Sequence, residues 1–317
     1  MKTIFPEFYR LSESDFKEVW DGCTFIFDAN VLLNLYRYSH NTSDEFIKIL
    51  TDTKIKDRVW IPHQFAFEYQ KDRLVVISEQ RRSYKELLEE IGSLVKKFYR
   101  HPFLKMKSVM SSDIDEIEKT ARNHPRWNQE DPIRDTLTAL FENRTGKSFS
   151  SSELESLYEE GRMRYAKKIP PGYADGKKEG EGQFGDWVGW KQILNYAKQE
   201  KTPIILVTDD DKEDWWWKVK GEVFGARYEL SEEIRDVAGV FFCMYNSKLF
   251  LKQATKYLKR KLDKKAASEI REITEKKSTG NAVGTASSEE IMISSEDIQR
   301  ILDQDVGRSD ISQNKNQ

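Results

Sequence analysis

Four short, unbroken apolar runs punctuate a chain that is otherwise polar and patterned for helices. Cys23-Thr24-Phe25-Ile26-Phe27 ends in Asp28. Val59-Trp60-Ile61 is closed by Pro62, and Pro203-Ile204-Ile205-Leu206-Val207-Thr208 runs into Asp209-Asp210. Val240-Phe241-Phe242-Cys243-Met244-Tyr245 is the last. Runs without alternation suit strands covered on both faces, as in a parallel sheet. Helix-patterned segments follow: Val31 to Tyr38 behind the first run, Gln64 onward behind the second and Leu249 to Leu258 behind the last. The alternation predicts an α/β fold with a central parallel sheet.

The stretch between the second and third runs is long and helical in pattern. Gln64 to Arg100 has no proline, one glycine and apolar positions three and four apart. Asp113 to Asn123, Asp131 to Asn143 and Ser152 to Lys168 continue it, with Ser152-x-x-Glu155 reading as a capping box. Residues of about 75–168 are therefore expected to form an α-helical insertion. The 64–107 part holds 10 Lys and Arg against 6 Asp and Glu. Such a ridge either faces nucleic acid or is simply a solvated helix face.

The chain changes character near its end. All aromatic residues lie at or before Tyr257. From about 264 the chain is rich in Ser, Glu, Lys, Asn and Gln, which cannot bury enough apolar surface to offset the entropy of ordering. The expected division is a folded domain over 1–263 and a largely disordered tail over 264–317. Within the tail, Ile298, Ile301 and Leu302 stand at helical spacing between Ser295 and Val306. That segment is either a transient helix or one that folds on a protein partner or inhibitor.

Composition narrows the chemistry. The 317 residues, 38% of them hydrophobic, suffice for a core without staples. No apolar run approaches the roughly 20 residues of a membrane helix, and Met1 to Glu7 lacks a signal-peptide core. A cytoplasmic protein with no membrane partner is the expectation. Cys23 and Cys243 are the only cysteines, and the four histidines contain no HxxxH pair, so disulfide scaffolds and zinc sites are not expected. A net charge of −2 means that any nucleic-acid surface is local. Two phosphate-loop patterns fail on context. Gly180-Glu181-Gly182-Gln183-Phe184-Gly185 spells GxGxxG but follows a polar loop instead of a strand. Gly146-Lys147-Ser148 lacks the glycine a Walker loop needs at position 141, which is Phe141.

The carboxylates are informative. Asp28, and the pair Asp209 and Asp210, sit where strands end, which is where open parallel sheets bind ligands. A charge there is costly unless paired or used. Asp214 follows shortly after. Asp186 opens a helix, as a ligand or as an N-cap. Glu68 lies one turn into the long helix, as a ligand or as a partner of Arg73. Converging carboxylates are hard oxygen donors that select Mg²⁺ or Mn²⁺, and such ions serve phosphodiester hydrolysis. Asp211 and Glu213 read as solvated turn residues. In the run Trp215-Trp216-Trp217, alternate rings face opposite ways, for core packing or for stacking on a base.

Phe25-Ile26-Phe27-Asp28-Ala29-Asn30-Val31-Leu32-Leu33-Asn34 resembles the opening motif of PIN-domain nucleases. Further blocks resemble the bacterial PIN-like family with a long helical insertion. They are Ile61-Pro62-His63-Gln64 through Glu68 to Arg73, Pro171-Gly172-Tyr173 through Asp175 and Lys177, Gly185-Asp186 through Trp190-Lys191, and Val207-Thr208-Asp209-Asp210 through Lys212 to Trp216. Together they run in order over about residues 1–260. The resemblance implies a PIN-like three-layer α/β core and a metal-dependent nuclease, acting on RNA more readily than DNA. It implies Asp28, Glu68 and Asp186 as acidic ligands of Mg²⁺ or Mn²⁺. Asp209 or Asp210 would be the fourth, and Asp214 a further candidate. Asn30 and Thr208 would support the ligands, and Arg73, Lys177 and Lys212 would contact substrate. Arg227 would do so through a block, Gly225 to Leu230, that matches only in part. The implied products carry 5′-phosphate and 3′-hydroxyl ends, and the implied settings are toxins and antiphage defence. Two other readings stay open. One is a PIN-like binding or regulatory module without catalysis. The other is a haloacid-dehalogenase-like phosphatase, whose motif wants Asp or Thr where this chain has Asn30.

Overall fold

The computed structural model describes residues 12–98 and 130–280, with residues 1, 5, 8, 9, 115, 117–119, 121 and 124. The expected helix within Asp113 to Asn123 lies largely outside the described residues, and the segment Ser295 to Val306 wholly so.

The apolar runs form the sheet. Strands β1 (Thr24–Phe27), β2 (Val59–Trp60), β3 (Ile204–Val207) and β6 (Phe242–Tyr245) pair in the order β2-β1-β3-β6, all parallel. Every residue of β1 and β3 is buried, which is why their sequences show no alternation. A separate antiparallel hairpin, β4 (Trp216–Val219) with β5 (Glu222–Ala226), was not anticipated. Helices cover the sheet: α1 (Glu13–Gly22), α2 (Ala29–Asn34), α3 (His40–Leu50), α4 (His63–Phe98), α5 (Pro132–Phe141), α6 (Ser151–Ala166), α7 (Gly185–Glu200), α8 (Tyr228–Ala238) and α9 (Ser247–Tyr257). The capping box of α6 is Ser150 with Glu153, two residues earlier than the Ser152 pattern. Ser150 is the residue whose backbone stays extended and so can cap.

The order of the strands positions the site. From β1 the chain moves outward to β2, then returns past β1 to place β3 on its other side. The ends of β1 and β3 therefore flank a topological switch point, the crevice where parallel sheets bind ligands. Register makes them neighbours. Phe27 pairs with Val207, and Val207 with Tyr245. Asp28 and Thr208 are the next residues out on adjacent strands.

Two glycines bring α4 and α7 together. A Cβ on Gly185 would stand 2.5 Å from Glu68 Oε1, and one on Gly189 would collide with the Phe65 ring. Gly185 and Gly189 lie four apart on one face of α7, and Phe65 and Glu68 three apart on one face of α4, so the helices meet along these faces.

Helical structure continues past residue 263. A helix, α10 (Lys264–Gly280), occupies the beginning of the expected tail. Ala266 and Ile270, four apart, are buried in the core cluster. Glu269 accepts hydrogen bonds from Thr42 Oγ1 at 2.5 Å and Ser39 Oγ at 2.7 Å, at the start of α3. Two buried positions and one acid on a single face anchor a helix that is otherwise polar.

Candidate active site

Asp28 leaves β1 with its backbone N–H still in the sheet, donating to Val207 O at 2.9 Å. Its Oδ2 accepts from Thr208 Oγ1 at 2.6 Å and from Asn30 Nδ2 at 2.6 Å. Asn30 Oδ1 in turn accepts from the Asp209 backbone N–H at 2.9 Å, and Thr208 Oγ1 from that of Asp210 at 3.1 Å. Asn30 and Thr208 thus tie the end of β1 to the end of β3 and fix one oxygen of Asp28. Its Oδ1 carries no hydrogen bond from the described residues.

Asp186 lies in the first turn of α7, where a negative charge suits the helix dipole. The N-cap position is Phe184, so capping is not its role. Its Oδ2 accepts from Lys212 Nζ at 3.1 Å and Trp215 Nε1 at 3.3 Å. Glu68 accepts one bond, from Gln64 Nε2 at 2.8 Å onto Oε1, and leans against Gly185. Asp210 follows β3 and holds Lys212 through both oxygens, the backbone N–H at 2.9 Å and Nζ at 2.7 Å.

These carboxylates perturb one another. Burial, with Glu68, Asp186 and Asp210 nearby, pushes the Asp28 carboxyl up to about 8. Burial, then Asp186 and Asp72, pushes Glu68 up to about 7. Asp186 is also raised, by burial and by Asp210 and Asp175. For Lys212, burial opposes the charge, but the carboxylates of Asp186, Asp210 and Asp175 outweigh it and raise its pKa. A group of acids that resist ionising together is one that a cation would relieve.

The remaining sequence candidates are placed as follows. Asp209 turns from the cluster toward α9: Oδ1 accepts from Ser247 N at 2.8 Å, and Oδ2 from Ser247 Oγ at 2.6 Å and Asn34 Nδ2 at 2.7 Å. Between the two neighbours, Asp210 is the one that joins Asp186 and Lys212. Asp214 is fully buried, and its Oδ2 accepts the N–H groups of Gly172 at 2.9 Å and Ala174 at 2.8 Å. Oδ2 thus holds the 172–175 turn, while the buried Oδ1 carries no hydrogen bond from the described residues, and burial first, then Asp186, raises the carboxyl pKa. Arg73 is corrected as a substrate contact: it is buried and paired with Asp131 at 2.5 Å, in a network with Tyr36 and Tyr69. Arg227 is engaged by Glu229 through Nε at 2.9 Å. Lys177 is exposed on the 171–180 loop. Trp215 and Trp216 are buried, with Trp215 edge-on to Trp190. Trp216 Nε1 donates to the Asp210 carbonyl. Each of these two rings thus donates to a residue of the cluster. Trp217 is half-buried between Phe8, Phe224 and Tyr228.

Asp175 is a fifth acid in the cluster, not singled out from the sequence because it lies on a loop. Its Oδ2 accepts from Lys212 Nζ at 3.0 Å and Lys178 Nζ at 2.7 Å. The loop that carries it is closed by Asp214 on Gly172, whose φ of 96° only glycine adopts readily.

The donor chemistry fits Mg²⁺ or Mn²⁺: five carboxylates, mutually repelling, with a lysine ammonium already drawn among three of them. One oxygen each of Asp28, Glu68 and Asp186 is without a hydrogen bond from the described residues. As they stand, no three His, Cys, Asp or Glu side chains among the described residues form a group that could hold an ion. Holding an ion would therefore require these side chains to close on it.

Four parallel strands under helices, with acids gathered at the switch point, make an α/β domain with an acidic crevice. The family model described as a PIN like domain matches residues 24–230, and the chain belongs to that family. The match begins at the first residue of β1 and takes in every acid of the cluster. No curated protein and no solved structure matches the chain. Among the described residues, no helix is long and apolar enough to cross a membrane.

Proposed function

We propose that this protein is a metal-dependent nuclease that hydrolyses phosphodiester bonds, with RNA as its main substrate. The observation that carries the reading is the meeting of Asp28, Glu68, Asp186 and Asp210 at one switch point, from four separate elements, with raised carboxyl pKa values on three of them. Bound Mg²⁺ or Mn²⁺ would supply the polarisation of a water and of the phosphate that hydrolysis needs. Asp28, Glu68 and Asp186 would hold it. Asn30 and Thr208 hold Oδ2 of Asp28, which would leave Oδ1 to the ion. Gln64 does the same for Glu68. Lys177, exposed on the 171–180 loop, would contact a substrate phosphate. The preference for RNA, and a role as a toxin or antiphage effector, rest on the family resemblance.

The test is cleavage of labelled single-stranded RNA and DNA with Mg²⁺ or Mn²⁺, with EDTA and Asp28→Asn as controls. Cutting that requires both metal and Asp28, leaving 5′-phosphate ends, supports the reading. No cutting, together with no metal binding by calorimetry, would move the chain to a PIN-like binding module. Equal effects of the wild type and Asp28→Asn on host growth and phage plating would sink the toxin and defence roles.

A further inference from the structure

Lys212 is held more firmly than a surface lysine. Its backbone N–H is fixed by Asp210 Oδ1 at 2.9 Å, so the side chain starts from a defined turn. The ammonium then lies 2.7 Å from Asp210 Oδ2, 3.0 Å from Asp175 Oδ2 and 3.1 Å from Asp186 Oδ2. The three acids come from the end of β3, the 172–175 turn and the start of α7. An ammonium has three donors, and here each has its own carboxylate. The side chain is 27% exposed, so this is not a screened surface pair. With its donors used, the charge of Lys212 belongs to the cluster and not to a substrate phosphate.

The acids accordingly divide. Asp175, Asp210 and one oxygen of Asp186 are joined to the ammonium. Asp28, Glu68 and the other oxygen of Asp186 are not. We infer that the site takes one divalent cation, among Asp28, Glu68 and Asp186, and that the Lys212 ammonium stands permanently where a two-metal site would carry its second ion. The inference rests on the metal-dependent reading above and adds the stoichiometry and the residue that sets it.

The experiment counts bound Mn²⁺ by calorimetry and by electron paramagnetic resonance, in the wild type, Lys212→Met and Lys212→Arg. The wild type is expected to bind one ion with the spectrum of an isolated Mn²⁺. Lys212→Met is expected to bind two, with the spin coupling of a close pair, and Lys212→Arg one. Two ions in the wild type would overturn the inference and leave the metal-dependent reading intact. One ion in Lys212→Met at unchanged affinity would also overturn it. No Mn²⁺ bound by any of the three would remove both. The wild-type count stands without any variant, so a poorly folding Lys212→Met does not protect the idea.

Discussion

Thr208 Oγ1 donates a 2.6 Å hydrogen bond to Asp28 Oδ2, joining residues 180 positions apart in sequence. The bond exists because Phe27 and Val207 are in register on neighbouring parallel strands. It fixes the orientation of the acid at the centre of the cluster. Thr208→Val keeps the shape and removes the donor. Loss of such a supporting bond typically costs about 10- to 100-fold in metal affinity. Calorimetry with Mn²⁺ is expected to show a loss in that range with the melting temperature little changed; unchanged affinity would dismiss the orienting role.

Asp209 and Asp210 are adjacent but are expected to fail differently. Asp209→Ala removes the acceptor of Ser247 and Asn34. It is expected to destabilise the fold by about 1–3 kcal/mol. Asp210→Asn keeps the side chain's shape but loses one charge facing Lys212 and Asp186. It is expected to melt near the wild type while losing cleavage. Denaturant melts and cleavage rates on both variants check this, and a reversed pattern would exchange their roles.

The Asp28 carboxyl also sets a pH dependence of stability. In the folded, metal-free protein it is held up to about 8, against about 3.9 in an unfolded chain. The folded state therefore holds a proton that the unfolded state has released. This contribution is fully present below about pH 4 and is lost as pH rises through about 8. In EDTA, the wild type is expected to melt lower at pH 8 than at pH 6, and Asp28→Asn to lose much of that slope. Parallel melting curves for the two proteins across this range would contradict the argument.

Gly185 tests the helix contact. Its missing side chain leaves the space that Glu68 Oε1 occupies, 2.5 Å from where a Cβ would stand. Gly185→Ala is expected to destabilise by about 1–3 kcal/mol through overpacking and to weaken Mn²⁺ binding by displacing Glu68. Gly92→Ala, on α4 with nothing within 4 Å of its Cβ, is the control; it should leave Mn²⁺ binding unchanged and stabilise by about 0.5–1 kcal/mol through helix propensity.

The parallel core was legible because strands buried on both faces show as unbroken apolar runs, and acids at their ends stand out against them. Asp28 and the Asp209-Asp210 pair could be proposed on that basis, and Asp186 from the helix it opens. The direction in which Asp209 turns could not, since it depends on Ser247 at the start of α9, a contact across strands. Asp175 was named within a matching block but given no role, because a loop acid has no periodicity to violate. The β4–β5 hairpin was hidden in the tryptophan run. Its signal was the Lys220-Gly221 pair, both at positive φ, the conformation of a tight two-residue turn. Helix α10 was missed because average composition hides two well-spaced residues, Ala266 and Ile270.

The distance in sequence between Asp28 and Thr208 has a consequence for the order of synthesis. A ribosome that has made the first half of the chain has delivered Asp28 and Glu68, but no β3 to complete the crevice and none of Asp186, Asp210 or Lys212. Two acids of an unfinished site have no partner to orient them. The crevice therefore cannot assemble until the acids after residue 180 have emerged and β3 has slotted beside β1. Truncated products of interrupted translation lack a completed site.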